Sequence, residues 1–267
     1  MNYSCLENNE VTGIHPTAII NPGARLASDV QVGPWTLIGD EVEIGAGTII
    51  HSHVVIKGPT RIGRDNRIFQ FSCVGEDCQD KKYNGERTCL EIGDNNVIRE
   101  GCTLHRGTAQ DEGSTCVGND NLLMAYVHVA HDCVIGNGCV LANNSILGGH
   151  VKIGDGVILG GCSGIHQFAV IGSYSMAAGH SAIFKDIPAF VMVSGNPAKA
   201  HGMNFEGMRR NGYSTELIQT LKQSYKIIYR QGLRTAEAIE KLESMGKSVE
   251  LQLLIDSLTA STRGITR

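Results

Sequence analysis

The stretch that decides the fold is VGNDNLLMAYVHVAHDCVIGNGCVLANNSILGGHVKIGDGVILGGCSGI, residues 117–165. An aliphatic residue falls on every sixth position: Val117, Leu123, Val129, Ile135, Leu141, Leu147, Ile153, Leu159 and Ile165. Ile171, Ala177, Ile183 and Ala189 continue the series. Four residues after each comes a small or β-branched residue, such as Cys133, Cys139, Ser145, Val151, Val157 and Ser163. A period of six is not helical, and it is longer than the alternation of a lone strand. It suits short strands joined by tight corners, three hexads making one triangular coil of 18 residues, with stacked coils burying a continuous core.

Working outward, the rhythm starts at Ile14 and runs through Ile20, Leu26, Val32, Ile38, Ile44, Ile50, Ile56, Ile62, Ile68 and Val74. Gly39, Gly45 and Gly63 are expected where the backbone turns sharply. The single tryptophan, Trp35, and the low aromatic content fit a core too narrow for large rings. Two stretches break the rhythm. Gly75 to about Leu90 is polar and charged and reads as a loop leaving the coil; Ala109–Thr115 shifts the register, since Leu104 and Val117 lie 13 apart. Long loops on a rigid scaffold frequently carry function.

Beyond Asn196-Pro197 the pattern becomes helical, dividing the chain into a repeat domain, 1–196, and a helical domain, 197–267. A short helix is predicted over Asn204–Arg210. A stronger one starts at the N-cap Ser214 and stops near Gly232. Its apolar stripe is Leu217, Leu221, Tyr225 and Ile228; Lys222, Lys226 and Arg230 form a basic stripe. Two further helices are predicted over Thr235–Met245 and Ser248–Thr259, before a polar tail with Arg263 and Arg267.

A formal charge of −4 gives no reason to expect a nucleic-acid partner. The charge is unevenly spread, however: −8 over residues 1–196 and +4 over 197–267. The basic end is a candidate dock for something acidic. Nine cysteines, an odd number without a CxxC pair, read as reduced thiols, several of them in the small inward slot of the repeat. Met1–Val11 is polar and lacks the apolar core of a signal peptide. No apolar run approaches ~20 residues, so no membrane span is expected and the location expected is cytoplasmic.

The chain resembles the left-handed parallel β-helix (hexapeptide-repeat) acyltransferases. Among them it is most similar to the UDP-N-acetylglucosamine O-acyltransferases that begin lipid A synthesis. The likeness is carried by Ile68-Phe-Gln-Phe71, Val74-Gly-Glu76, Gln79-Asp80-Lys-Lys-Tyr83 and Leu104-His-Arg-Gly-Thr108. It continues through Asn121-Leu-Leu-Met124, His128-Val-Ala-His-Asp132, Gly149-His150, Ile165-His-Gln-Phe168 and Asn204-Phe-Glu-Gly207, covering essentially the whole chain. The resemblance implies a left-handed β-helix with a small C-terminal helical domain, and no cofactor. It implies a homotrimer with active sites between neighbouring prisms. The reaction implied is transfer of an (R)-3-hydroxyacyl group from acyl-carrier protein to the 3-hydroxyl of UDP-N-acetylglucosamine.

The repeat adds a geometric argument. Residues 18 apart stack in adjacent coils, so His131 lies beneath Gly149 and Gly149 beneath Gln167, with His150 and His166 one residue to either side. A sugar hydroxyl attacking a thioester needs a base. His131 suits that task, a contribution of ~10²–10⁴-fold, with Asp132 to orient it. The oxyanion needs a donor, which a glycine amide can bring close, worth ~10²–10³-fold. In the family resembled, these are the roles of the positions matching His131 and Gly149.

Other positions carry over from the resemblance alone. Gln79, Asp80, Lys82, His128 and His150 match sugar and phosphate contacts; His166 and Gln167 match nucleotide-sugar contacts; Asn204, Glu206 and Arg210 match contacts to the UDP moiety. The chain departs from the usual pattern in placing Asn211 before Gly212. Gly179 matches the position that limits acyl-chain length, and a glycine there implies a long chain, of hydroxymyristoyl type. The acidic carrier protein is expected to dock on the Lys222, Lys226 and Arg230 stripe. Competing readings are an acyltransferase for an aminated UDP-sugar, a non-enzymatic repeat scaffold, and a zinc carbonic anhydrase on the same fold using His128, His131 and His150.

Overall fold

The computed structural model describes residues Gly13–Arg267; the Met1–Val11 stretch read above for a leader lies outside them. Strands mostly two residues long wind into a three-sided parallel β-helix, whose faces are sheets of nine, eight and ten strands. We call these the first, second and third faces, in the order in which the chain visits them. In the unbroken part each residue pairs with the one 18 further on: Val129 with Leu147, Leu147 with Ile165.

The sixth-position aliphatics from Val32 to Ile183 point inward and stack in columns. The series fails at its ends, where Ile14 is exposed and the register slips by two, so that Ile187 and Val193 rather than Ala189 continue the columns. Along the first face, Ile38, Ile56, Val74, Leu104, Val129, Leu147 and Ile165 are each at most 4% exposed. Burying such a side chain is worth ~1.5–3 kcal/mol. That gain matters because many corners are strained. Three residues after most inward aliphatics the backbone enters the left-handed region, with a non-glycine residue there at Trp35, Glu41, Asp65, Asp132 and His150 among others. Left-handed backbone costs a non-glycine residue ~1–2 kcal/mol, so one column residue offsets one corner.

The corner glycines therefore have a different reason from the one expected. Gly39, Gly45 and Gly63 sit one residue after the inward aliphatic and are not left-handed. A Cβ on Gly45 would come 2.6 Å from the Gly63 carbonyl oxygen in the next coil, so close stacking, not turn geometry, demands the glycine. Trp35 likewise lies outside the prism, 63% exposed.

Both interruptions leave the prism from one edge, between the first and second faces. Ile62 pairs with Ile92, 30 residues on, and Ile92 with Val117, 25 on, so each insertion lengthens one turn without breaking the columns. Strands Cys73–Glu76 and Cys89–Ile92 shorten the first loop to 77–88; Thr103–His105 and Ser114–Val117 bound the second at 106–113.

The outer surfaces differ in character. The second face carries the charged ladder Arg25, Glu43 and Arg61. The first face presents Ile19 and Ile146, 66% and 52% exposed. The edge between third and first faces presents Trp35, Phe71 and Tyr126, the last two 68% and 64% exposed.

The segment after Pro197 is not helical from its start. Lys199–Met203 forms a strand antiparallel to Val191–Ser194, the one antiparallel pairing in the sheets described. The helices follow as α1 (Phe205–Arg210), α2 (Thr215–Arg230), α3 (Thr235–Glu243) and α4 (Val249–Thr259). Ser214 and Ser248 cap α2 and α4 by accepting from Leu217 N and Leu251 N. Leu221, Tyr225 and Ile228 of α2 are buried while Lys222, Lys226 and Arg230 are exposed. The tail is not free. Ile265 bridges to Asp186, and Ile265 and Thr266 are buried at the end of the prism. Among the described residues, no helix is long and apolar enough to cross a membrane.

Candidate active site

The edge that releases both loops also carries His131 and Gly149, in register. The His150 amide donates to the His131 carbonyl at 3.0 Å, and the Phe168 amide to the Gly149 carbonyl at 3.0 Å. The left-handed turn at Asp132 folds its carboxylate back, so that sequence neighbours share one side. His131 Nδ1 lies 2.8 Å from Asp132 Oδ2. Asp132 is buried and fully engaged: it accepts from Thr108 N at 2.8 Å and Thr108 Oγ1 at 2.7 Å, and its own amide donates to Thr115 Oγ1 at 2.8 Å. An anchored carboxylate accepting from Nδ1–H leaves His131 Nε2 as the proton acceptor.

Gly149 has two properties that the geometry makes necessary. A Cβ there would lie 2.5 Å from His131 Cε1 and 2.6 Å from Nε2, so only glycine leaves room for the imidazole. Gly149 is buried, yet its N–H has no acceptor among the described residues. The contrast with the edge between the second and third faces is direct. There the equivalent amides are capped by the next coil's side chain, as Asn119 N by Asn137 Oδ1 and Asn137 N by Asp155 Oδ1.

The other histidines are held individually. His150 Nδ1 is 2.6 Å from Asp111 Oδ2; its ring stacks on Phe168 at 4.3 Å and stands perpendicular to His131 at 5.0 Å. His128 Nδ1 is 2.7 Å from Thr103 Oγ1, with its ring edge-on to His105. Burial lowers the pKa of His128, helped by His131. Burial, and then His128, pushes His105 down to about 4. These two rings are therefore neutral near pH 7.

The first loop is tied down by Arg106, which is buried and bonds the Gly75 carbonyl, the Asp77 carboxylate and, at 3.3 Å, Tyr83 Oη. Asp80 Oδ1 accepts from Lys82 N at 2.9 Å, and the Gln79 and Lys82 side chains are exposed. His166 and Gln167 continue the same edge, with Arg263 of the tail 3.4 Å from His166 Nδ1.

Not every expected residue joins them. Gly179 lies on the edge between third and first faces, stacked on Gly161. Asn204 packs by the edge between second and third faces, and its side chain is already occupied: Oδ1 caps α1 through Gly207 N, and Nδ2 donates to the Tyr174 carbonyl. The structure thus gives Asn204 a structural task. Glu206 is exposed and pairs with Arg209 and Arg210. Asn211 closes α1, its Nδ2 donating to the Gly207 carbonyl. The histidine trio considered for zinc does not converge as imagined. Among the described residues, the donors within 4.8 Å of one another belong to His131, Asp132 and His150, without His128.

Sequence reasoning missed Thr108, Thr115, Asp111, Asp77 and the roles of His105 and Arg106. The six-residue rule could not reach Asp77, Arg106, Thr108 and Asp111, because the loops stand outside the repeat; His105 and Thr115 lie in the strands that bound the second loop, where the register is shifted.

Comparison with known proteins completes the description. Residues 117–149 match the bacterial transferase hexapeptide (six repeats) family. Residues 186–266 match the family described as Udp N-acetylglucosamine O-acyltransferase, Domain 2. The chain is 60% identical over 255 residues to an acyl-[acyl-carrier-protein]–UDP-N-acetylglucosamine O-acyltransferase of Stutzerimonas stutzeri, covering 95% of this chain and 99% of that one. It superposes on LpxA from Acinetobacter baumannii with a TM-score of 0.93 at 59% identity, covering 95% and 99% of the two chains. For the UDP-N-acetylglucosamine O-acyltransferase (LpxA) of Moraxella catarrhalis the TM-score is 0.94 at 53% identity, with the same coverage.

Proposed function

Because the chain belongs to the UDP-N-acetylglucosamine O-acyltransferase family, we propose how the His131 edge carries out that family's reaction. The enzyme moves an acyl group from acyl-carrier protein to UDP-N-acetylglucosamine, the first step of lipid A biosynthesis. His131 Nε2 takes the proton of the sugar 3-hydroxyl as its oxygen attacks the thioester carbonyl. Asp132, anchored by Thr108, holds the imidazole and balances the charge it acquires. The Gly149 N–H donates to the oxyanion of the tetrahedral intermediate. Collapse expels the carrier thiolate, which regains a proton from His131. The observation that carries this reading is the uncapped amide of a buried glycine directly against the imidazole.

The test is an acyl-transfer assay with 3-hydroxyacyl-carrier protein and UDP-N-acetylglucosamine. His131→Ala should cut kcat by at least ~10²-fold while the fold is retained. A His131→Ala enzyme as active as wild type would refute the mechanism. Running the 3-amino analogue beside the natural sugar decides the acceptor.

The site is proposed to be completed by a neighbouring copy of the chain, in a homotrimer. What supports this is that Gly179 and the α1 residues lie on other edges from His131, while the apolar first face and the Trp35, Phe71 and Tyr126 edge are exposed in a single chain. Exposed apolar patches of that kind mark association surfaces. Light scattering that returned the 28.7 kDa of one chain would exclude it. An acyl-carrier substrate and free thiols at Cys102, Cys133 and Cys139 support a cytoplasmic location, which cell fractionation checks.

A further inference from the structure

We propose that Asp111, at the tip of the second loop, is a positioning residue that fixes the ring of His150 for the acceptor sugar. The inference rests on the acyl-transfer reading of this edge. The second loop adds seven residues to one turn of the prism, as the pairing of Ile92 with Val117 shows. Its base is bound to the catalytic pair, since Thr108 donates twice to Asp132. Its far side folds back on that base, with the Asp111 and Gly113 amides donating to the Thr108 carbonyl at 3.3 and 3.1 Å. This brings the Asp111 carboxylate to His150 Nδ1, 39 residues away in sequence, at 2.6 Å.

The His150 ring is then held from three directions. Asp111 takes Nδ1, Phe168 stacks against one face at 4.3 Å and only 9° from parallel, and His131 abuts at right angles. Besides Asp111, the charged groups facing this ring are Asp132, whose Oδ2 is 3.8 Å from Nδ1, and, beyond Asp111, Lys152. A terminal sp² torsion such as histidine χ2 is broad, so stacking alone leaves the ring free to flip within its plane. The carboxylate removes that freedom: Nδ1–H donates to it, and Nε2 faces the opposite way. Nε2 has no partner among the described residues, and is the atom left to meet a sugar hydroxyl. The bond to His150 in turn holds Asp111 below the usual carboxylate range.

Asp111 is itself exposed, so its bond contributes little to folding. Its effect falls on the orientation of one ring, and hence on binding of the acceptor. Asp111→Ala should raise the KM for UDP-N-acetylglucosamine about tenfold, the loss of one hydrogen bond, with kcat within about threefold and Tm unchanged. Asp111→Glu should recover most of the affinity. In a His150→Ala background, Asp111→Ala should change nothing further. Ring-nitrogen NMR should find the His150 proton on Nδ1 in wild type and lose that preference in Asp111→Ala. A KM within twofold of wild type, or an equal further loss in the His150→Ala background, overturns the proposal. Wild-type enzyme assayed alongside separates the two readings. If it does not acylate the sugar, the reaction assignment falls, whereas wild-type turnover with an unaltered Asp111→Ala enzyme sinks only the role of Asp111.

Discussion

Gly149→Ala isolates the contact on which the mechanism depends. The Gly149 backbone is not left-handed, so alanine meets no conformational penalty there. The added methyl would instead lie 2.5 Å from His131 Cε1, where ordinary contact begins near 3.4 Å, so the ring must retreat by about 0.9 Å. It cannot swing aside freely, because Nδ1 is pinned to Asp132, and Asp132 to Thr108. A displacement of ~1 Å from the reactive geometry costs ~10²-fold, or about 2.7 kcal/mol of transition-state stabilisation. We expect kcat/KM for acyl transfer to fall by that factor, with the thermal transition preserved. Gly161→Ala is the control: it holds the equivalent place on another edge, where the new methyl meets only the Asn143 carbonyl, at 3.2 Å. A well-folded Gly149→Ala enzyme within about threefold of wild type would refute the argument that glycine is there to seat the imidazole.

Three further outcomes are expected. A Cβ at Gly179 would lie 3.3 Å from the Gly161 carbonyl oxygen, a close contact relieved by a shift of the backbone of a few tenths of an ångström; Gly179→Met should shift preference from hydroxymyristoyl toward shorter donors in a chain-length competition. Reversing charge at Lys222, Lys226 and Arg230 together should raise the KM for the acidic carrier protein roughly tenfold while leaving UDP-sugar binding alone; an unchanged KM assigns the stripe to solvent. His105 has a folded value of about 4 against 6.5 unfolded. The unfolded chain therefore takes up the proton first as pH falls. The contribution to stability is complete above pH 6.5 and is lost toward pH 4, so His105→Gln should flatten the fall of Tm across that window.

The sequence by itself determined the prism. A six-residue aliphatic period has one economical solution, and it stacks His131 under Gly149; the capping Ser214 likewise sets the start of α2. Only the tertiary structure decided what surrounds that pair. Thr108 and Asp111 reach Asp132 and His150 across a loop whose seven extra residues obey no period. Likewise, Lys199–Met203 became a strand because Val191–Ser194 offered an open sheet edge, not because of its own composition. Periodic burial is written locally, residue by residue, whereas a hydrogen bond between distant segments exists only once the chain has brought them together.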